Sequence, residues 1–175
     1  EDRLAPGVDP LADVSDNLLA GRQRDKEFNA LGFHLRRSAI ERYVSGIYEK
    51  FDIRGAGLHG KVGSMSGGNM QKVVVAREFS HDTPVLVISN PSRGIDIGAK
   101  TEVFDIIHQF ADQGLTILVV SSELKEIMNI ADRIMVLSNG VKTAEFIAGD
   151  GLTEDDLVLA SYAGHHTDSE AEATA

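Results

Sequence analysis

The stretch from residue 65 to residue 100 reads MSGGNMQKVVVAREFSHDTPVLVISNPSRGIDIGAK, and its order of turns and apolar runs decides the fold class. A Ser-Gly-Gly turn precedes a predicted helix over residues 69–80. An apolar run over residues 85–88 predicts a buried strand, and the polar loop after it contains Asp96. The stretch therefore predicts helix, strand and helix in succession.

The sequence beyond this stretch continues the alternation of helices and strands. Residues 98–113 predict a helix with one apolar face, and the continuous apolar run over residues 115–120 predicts a strand with both faces covered by helices. The Asn-Gly pair in the turn at residues 138–140 predicts a hairpin. Residues 153–162 predict a terminal helix capped by Thr153. From Val62 onward the chain is predicted to be an α/β domain.

The part before residue 62 has a different pattern, which predicts a helical arm subdomain over residues 1–61. Within it, apolar residues at helical spacing predict a helix over residues 38–51, with Ser38 as N-cap and Glu41 completing a capping box. Residues 62–163 form the predicted α/β core. Residues 164–175 lack apolar anchors and are predicted to be a disordered tail.

Composition excludes several classes of function. The 175 residues carry a formal net charge of −10, which argues against a nucleic-acid-binding surface. Without cysteine the chain has neither disulfides nor a thiolate metal site. Its apolar runs are shorter than the roughly 18 residues of a membrane span, and it does not begin with Met. We expect a soluble fragment of a longer protein.

The Ser66-Gly67-Gly68 turn has the chemistry of an anion-binding element. The first turn of a helix has unpaired N–H groups and a partial positive charge, which together attract phosphate. Glycine at these positions allows the backbone to approach an anion without interference from a Cβ atom. A serine N-cap after a flexible turn is the simpler alternative.

In this order and spacing, MSGGNMQK, VLVI and PSRGID resemble the signature motif, Walker B strand and D-loop of the ATPase subunits of ABC transporters. The sequence is most similar to the second nucleotide-binding domain of importers for monosaccharides and nucleosides. The resemblance implies that the signature and D-loop contact ATP held by a different domain. The residues to which it assigns this contact are Ser66, Gly67, Gly68, Asn69, Gln71 and Asp96.

Three positions depart from the family pattern. Ser89 and Asn90 stand where the family has the Asp that holds Mg²⁺ and the Glu that polarises the attacking water, and Ser122 stands at the position of the H-loop histidine. Serine is a poor magnesium ligand, and asparagine cannot act as a general base. The sequence therefore predicts a degenerate site with no competent catalytic residue and no metal ligand.

A complete P-loop motif, G-x-x-x-x-G-K-[ST], is also absent from the sequence. Because residues 1–3 (EDR) resemble the family segment that follows the glutamine loop, we expect the P-loop to lie upstream of residue 1. The predicted fold is thus an incomplete P-loop NTPase domain that lacks the P-loop strand. ATP and Mg²⁺ are expected cofactors of the full-length assembly, and none is expected for the isolated fragment.

The function predicted from the resemblance is that of a truncated ATP-binding component of an importer for a sugar or nucleoside, located at the inner face of the cell membrane. Its expected partners are a second nucleotide-binding domain, the transmembrane permease subunits and, indirectly, a solute-binding protein. An unpaired sheet edge would also favour a homodimer of the fragment. The alternative is a non-enzymatic α/β module for docking or regulation.

Overall fold

The structure is a computed structural model, and it describes residues 7–30, 32, 34–81, 83–149 and 151–163. The chain divides into two compact units, Glu1–Leu118 and Val119–Ala175. This division does not coincide with the predicted boundary at residue 61, so the arm subdomain stays a prediction. The predicted disordered tail, residues 164–175, lies outside the described residues.

Helices and strands alternate along the chain from residue 67, as the sequence predicts. The helices are α1 (Val14–Leu19), α2 (Arg37–Lys50), α3 (Gly67–Phe79), α4 (Ile97–Asp112), α5 (Leu124–Ile130) and α6 (Glu154–Tyr162). The strands are β1 (Asn29–Ala30), β2 (His34–Leu35), β3 (Val85–Ser89), β4 (Thr116–Val120), β5 (Arg133–Ser138) and β6 (Val141–Ile147). None of the helices in the described part of the chain has both the length and the apolar character that crossing a bilayer requires.

Helix α3 lies at the centre of the first unit. It packs against α1, α2 and α4, and its buried face includes Met70, Val73 and Ala76. The ring of Phe110 on α4 stacks on Phe51 at 5.7 Å between centroids and contacts Phe79 at 4.4 Å. The predicted apolar stripes of α2 and α4 are confirmed, because both face this core. Helix α3 is thereby held on several sides.

The predicted N-cap of α2 is wrong. The helix begins at Arg37, because the carbonyl of Arg36 already accepts the hydrogen bond from the amide of Ile40 at 3.1 Å. Ser38 is therefore inside the first turn, where its backbone is helical and cannot adopt the extended conformation of an N-cap. The short β1–β2 pair that precedes α2 was also not predicted.

Strands β3 and β4 pair in a two-stranded sheet that differs from the prediction in its burial. Both strands alternate between half-buried and exposed residues. Leu86, Ile88 and Ile117 pack on the core of the first unit, whereas the side chains of Val85 and Val87 are 53% and 62% exposed. The predictions of a buried strand over residues 85–88 and of two covered faces for residues 115–120 are both wrong for the described residues. Leu118 and Val120 of β4 are likewise 50% and 51% exposed, because the described helices leave one face of this sheet open.

In the second unit, the predicted hairpin is confirmed. Strands β5 and β6 are antiparallel, and the two residues between them, Asn139 and Gly140, both have positive φ angles, 49° and 77°. Two such residues form the tight turn that suits the twist of a hairpin. Leu157 of α6 is fully buried in this unit, where α6 contacts β5.

The N-terminus of α6 has the predicted Thr153 cap, in the form of a full capping box. The Thr153 hydroxyl accepts from the Asp156 amide at 3.3 Å, and the Asp156 carboxylate accepts from the Thr153 amide at 2.9 Å and its hydroxyl at 2.6 Å. These bonds lower the pKa of Asp156 below its ordinary value of 3.8, the hydroxyl making the larger contribution. The cap therefore makes its full contribution to stability above the ordinary pKa of 3.8, and this contribution is lost as the pH falls through the lowered pKa.

Replacing Thr153 by valine is expected to raise the pKa of Asp156 toward its ordinary value. The substitution removes the hydroxyl and keeps the backbone donor, so the rise should be partial. Carboxyl carbon chemical shifts measured against pH by NMR report this value directly. Ser161→Ala, at the other end of α6, is the control that leaves the titration unchanged. An unchanged midpoint in Thr153→Val would contradict the hydroxyl as the main cause.

Candidate functional site

Ser66 is the N-cap of α3. Its backbone is extended, and its side-chain oxygen accepts a hydrogen bond from the Asn69 amide at 3.4 Å. Ser66 itself is exposed, and the amides of Gly67 and Gly68 belong to the first turn, which has no intrahelical acceptor. The N-terminus of this 13-residue helix thus has the chemistry that a phosphate group requires.

The two glycines of this turn lie against the segment that precedes and begins α4. A methyl group added at Gly67 would lie 3.3 Å from the carbonyl oxygen of Gly94. One added at Gly68 would lie 2.4 Å from the Cβ atom of Ala99, a distance that side chains do not tolerate. The absence of side chains at these glycines therefore allows the N-termini of α3 and α4 to lie side by side.

Asp96 is the N-cap of α4, a role that the sequence analysis missed. Its carboxylate accepts from the Ala99 amide at 2.9 Å. The signal was present in the sequence, because an aspartate immediately before an apolar periodic run is a common N-cap. Gln71, the remaining predicted contact residue, is half-buried at the start of the second turn of α3. The structure thus brings the signature turn and the predicted D-loop together.

At the end of β3, the side chains of Ser89 and Asn90 form a hydrogen bond with each other. The Asn90 side-chain amide donates to the Ser89 hydroxyl at 3.2 Å. Asn90 has a φ of 49°, a left-handed conformation that asparagine tolerates better than most residues, and its carbonyl accepts from the Arg93 amide. Neither side chain supplies the carboxylate that Mg²⁺ prefers.

Ser122 lies in the second unit, in the bend between β4 and α5, and its side chain is exposed. The neighbouring Ser121 hydroxyl accepts from the Glu123 amide at 3.1 Å, which orders this bend before the helix. Among the described residues, no group of three or more His, Cys, Asp or Glu side chains is placed to hold a metal ion. The residues present here fit an anion at α3 better than a metal at β3.

The segment from residue 55 to residue 61 matches the first seven positions of a P-loop, because Lys61 directly follows its glycine-rich run. Val62 stands where the motif requires Ser or Thr. The segment follows α2 rather than a strand and leads into a 3₁₀ helix, Val62–Ser64. Lys61 is committed to the carboxylate of Asp13 at 2.8 Å. The segment at residues 55–61 therefore lacks the strand and the free lysine that a phosphate-binding loop has.

Lys72 connects α3 to α4 and to the loop after α2. Its side chain is only 5% exposed, and the ammonium lies 2.6 Å from the Glu102 carboxylate and 3.1 Å from the Asp52 carbonyl oxygen. Such a group requires partners, because a buried unpaired charge is costly. Arg54 lowers the pKa of Asp52 through a hydrogen bond, which keeps this carboxylate charged beside the lysine. Lys72 thus ties three segments together around the signature helix.

Replacing Lys72 by methionine is expected to destabilise the chain by about 1–3 kcal/mol. The Asp52 carbonyl and the Glu102 carboxylate lose their shared donor, and Glu102 recovers part of the loss because its side chain is 55% exposed. Urea unfolding measures the difference. The matched control is Lys125→Met, whose side chain is 80% exposed and pairs with Glu154 at 3.5 Å. Equal losses in the two variants would contradict the special role of Lys72.

Comparison with known proteins identifies homologues of this chain. The arabinose import ATP-binding protein AraG of Vibrio parahaemolyticus is 37% identical over 147 residues, which cover 83% of this chain and 28% of that protein. The ribose import ATP-binding protein RbsA of Corynebacterium glutamicum is 38% identical over 162 residues, which cover 90% of this chain and 29% of that protein. The chain is a homologue of the ATP-binding proteins of ABC sugar importers.

This sugar-importer homologue spans less than a third of the length of those two curated relatives. No family model matches it. Among solved structures, it is similar to the ATP-binding cassette MJ1267 of an ABC transporter, with a TM-score of 0.67 and 22% identity over 85% of this chain and 62% of that one. A dimeric cassette, MJ0796, bound to ADP and Pi gives a TM-score of 0.62 at 18% identity, covering 81% of this chain and 59% of that one. The fold is thus that of ABC ATPase cassettes.

Proposed function

We propose that this chain is the signature-bearing part of the ATP-binding component of an importer for a sugar or nucleoside, and that it contributes the signature turn and D-loop in trans to ATP held by a partner nucleotide-binding domain. The observation that carries the proposal is the exposed N-terminus of α3, capped by Ser66 and set beside the N-terminus of α4. The residues offered to ATP are Ser66, Gly67, Gly68, Asn69, Gln71 and Asp96.

The arrangement suits an anion presented from outside the chain. Ser66 is exposed, so a phosphate group of a docked partner can reach it. ATP bound to the partner would supply the phosphoryl group that is transferred to water, and Mg²⁺ would neutralise its charge. This chain would offer hydrogen-bond donors and the positive end of the α3 dipole to the terminal phosphate.

Its own nucleotide site is proposed to be degenerate. Ser89 and Asn90 hydrogen-bond to each other, and neither can hold Mg²⁺ as a carboxylate does or accept a proton from water. Ser122 cannot become a cation as histidine can. The chain would act beside permease subunits at the inner face of the membrane, as its homologues' role in sugar import suggests. The P-loop strand would be contributed outside these 175 residues.

The test uses a partner cassette with an intact P-loop and Walker B motif, taken from a sugar importer homologous to this chain. The partner's ATP hydrolysis is measured with and without an excess of the 175-residue chain. Faster hydrolysis in the presence of the chain, together with association of the two proteins that depends on ATP, supports the proposal. The alternative is a non-enzymatic docking or regulatory module. It predicts that the chain leaves the partner's rate of hydrolysis unchanged and that association of the two proteins does not depend on ATP.

A further inference from the structure

Asn69 is held on both sides of its side-chain amide. Its Oδ1 atom accepts a hydrogen bond from the Arg54 backbone amide at 2.7 Å, and its Nδ2 atom donates to the Ser66 hydroxyl oxygen at 3.1 Å. Asn69 also donates its own backbone amide to that oxygen at 3.4 Å. The carbonyl oxygen and one N–H of its side-chain amide are therefore engaged within the chain.

These bonds set the orientation of the Ser66 hydroxyl. A serine oxygen has two acceptor lone pairs and one hydrogen. Because Asn69 supplies two donors, both lone pairs are used, and the hydroxyl hydrogen is the group left to form a bond outward. A hydroxyl fixed in this way is a donor, and its natural partner is an anion such as a phosphate oxygen.

The loop on the other side of Asn69 is hydrogen-bonded to α3. The Arg54 guanidinium pairs with the Asp52 carboxylate at 2.6 Å, and the Asp52 carbonyl accepts from buried Lys72. Because Lys72 and Asn69 lie on the same helix, the loop at residues 52–54 is fixed to α3 at two points. Asn69 thus connects this loop to the Ser66 hydroxyl through hydrogen bonds.

We infer that Asn69 is a positioning residue, which holds the Ser66 hydroxyl as an outward donor to phosphate. This inference rests on the proposed function of the same turn and gives Asn69 a specific role within it. It predicts that the effect of Asn69 on anion binding passes entirely through Ser66. An asparagine with only a structural role would change the stability of the chain, and its effect on phosphate binding would not depend on Ser66.

The experiment titrates the 175-residue chain with inorganic phosphate and follows the backbone amides of Gly67 and Gly68 by NMR. We expect Asn69→Ala to weaken phosphate binding about 3–10-fold. Ser66→Ala should weaken it similarly, and the double variant should be no worse than Ser66→Ala alone, because the two residues act as one unit. Asn129→Ala, an exposed asparagine on α5, is the control with unchanged binding.

Asn69→Asp gives a second readout. The carboxylate keeps an acceptor for the Arg54 amide but cannot donate to Ser66, so the hydroxyl would turn inward and donate to the carboxylate. With the added negative charge, we expect phosphate binding to fall more than about 10-fold, further than in Asn69→Ala.

Three results would overturn the inference: wild-type binding in Asn69→Ala, multiplying effects in the double variant, or no phosphate-dependent shift in the wild-type chain. Failure of the proposed function is read separately. If the wild-type chain does not stimulate the partner cassette while the phosphate titrations follow the expected pattern, the trans-acting role is wrong and the positioning role of Asn69 stands.

Discussion

Replacing Ser66 by arginine is expected to reduce stimulation of a partner cassette's ATP hydrolysis by about 100-fold or more. Arginine has no acceptor for the Asn69 amide, so the N-cap of α3 is lost. Its long side chain also occupies the space in front of the exposed helix N-terminus, where the terminal phosphate of the partner's ATP would lie. The loss of the donor and the steric block act in the same direction.

The measurement is steady-state phosphate release by the partner cassette at saturating Mg-ATP. Ser38→Arg is the matched control, because it places the same charge at an exposed serine of α2. Thermal unfolding of both variants separates a folding defect from a local one, since loss of a serine cap costs only about 0.5–2 kcal/mol. Normal stimulation by a folded Ser66→Arg chain would contradict the assignment of the signature turn.

Replacing Gly68 by alanine is expected to destabilise the chain by about 2–3 kcal/mol, the upper range for an overpacked contact. The new methyl group would lie 2.4 Å from the Cβ atom of Ala99. Both atoms are fixed to helix backbones, so neither can move away by rotating a side chain. The N-termini of α3 and α4 would have to separate, and the signature turn would shift relative to the D-loop.

Urea unfolding measures this loss, and two variants serve as controls. Gly46→Ala, in the exposed interior of α2, meets no atom within 4 Å and is expected to stabilise the chain by about 0.5–1 kcal/mol. Adding Ala99→Gly to Gly68→Ala removes the opposing methyl group and should restore part of the stability. If Gly68→Ala behaved like Gly46→Ala, the close approach of α3 to α4 would be wrong.

Local signals in the sequence predicted much of the fold. The Asn-Gly turn, the Thr153 cap and the apolar stripe of α4 depend on neighbouring residues alone, so they can be recognised without knowledge of the tertiary structure. The start of α2 was less accessible, because Arg36 provides the first helical carbonyl through its backbone while Ser38 has the better capping side chain. Nearly any residue type can form such a backbone hydrogen bond, so the sequence does not reveal it.

The burial of individual residues was harder to predict. An apolar run such as residues 85–88 indicates a strand suited to a covered sheet, but its exposure depends on which other elements are present to cover it. Lys72 would be assigned to a polar helix face by its residue type, and only the positions of Asp52 and Glu102 explain why it is buried. The internal engagement of Asn69 likewise depends on Arg54, 15 residues away in sequence.

The sequence predicted the candidate site as one set of residues and did not divide their roles, and the contact of these residues with ATP stays a prediction. The sequence grouped Asn69 with Ser66 and the two glycines, whereas the structure distinguishes a residue whose side chain is bonded internally from one that is exposed. It also gives Asp96 a capping role on α4. The prediction that Ser89 and Asn90 are degenerate positions rests on residue chemistry alone, since neither carries an ionisable carboxyl group.

The most direct test of the account is calorimetric titration of the purified 175-residue chain with Mg-ATP, combined with a phosphate-release assay, in the absence and presence of the partner cassette. The account predicts neither tight nucleotide binding nor turnover by the chain alone, and ATP-dependent complex formation once the partner is added. Tight capture and hydrolysis of Mg-ATP by the chain alone would contradict it.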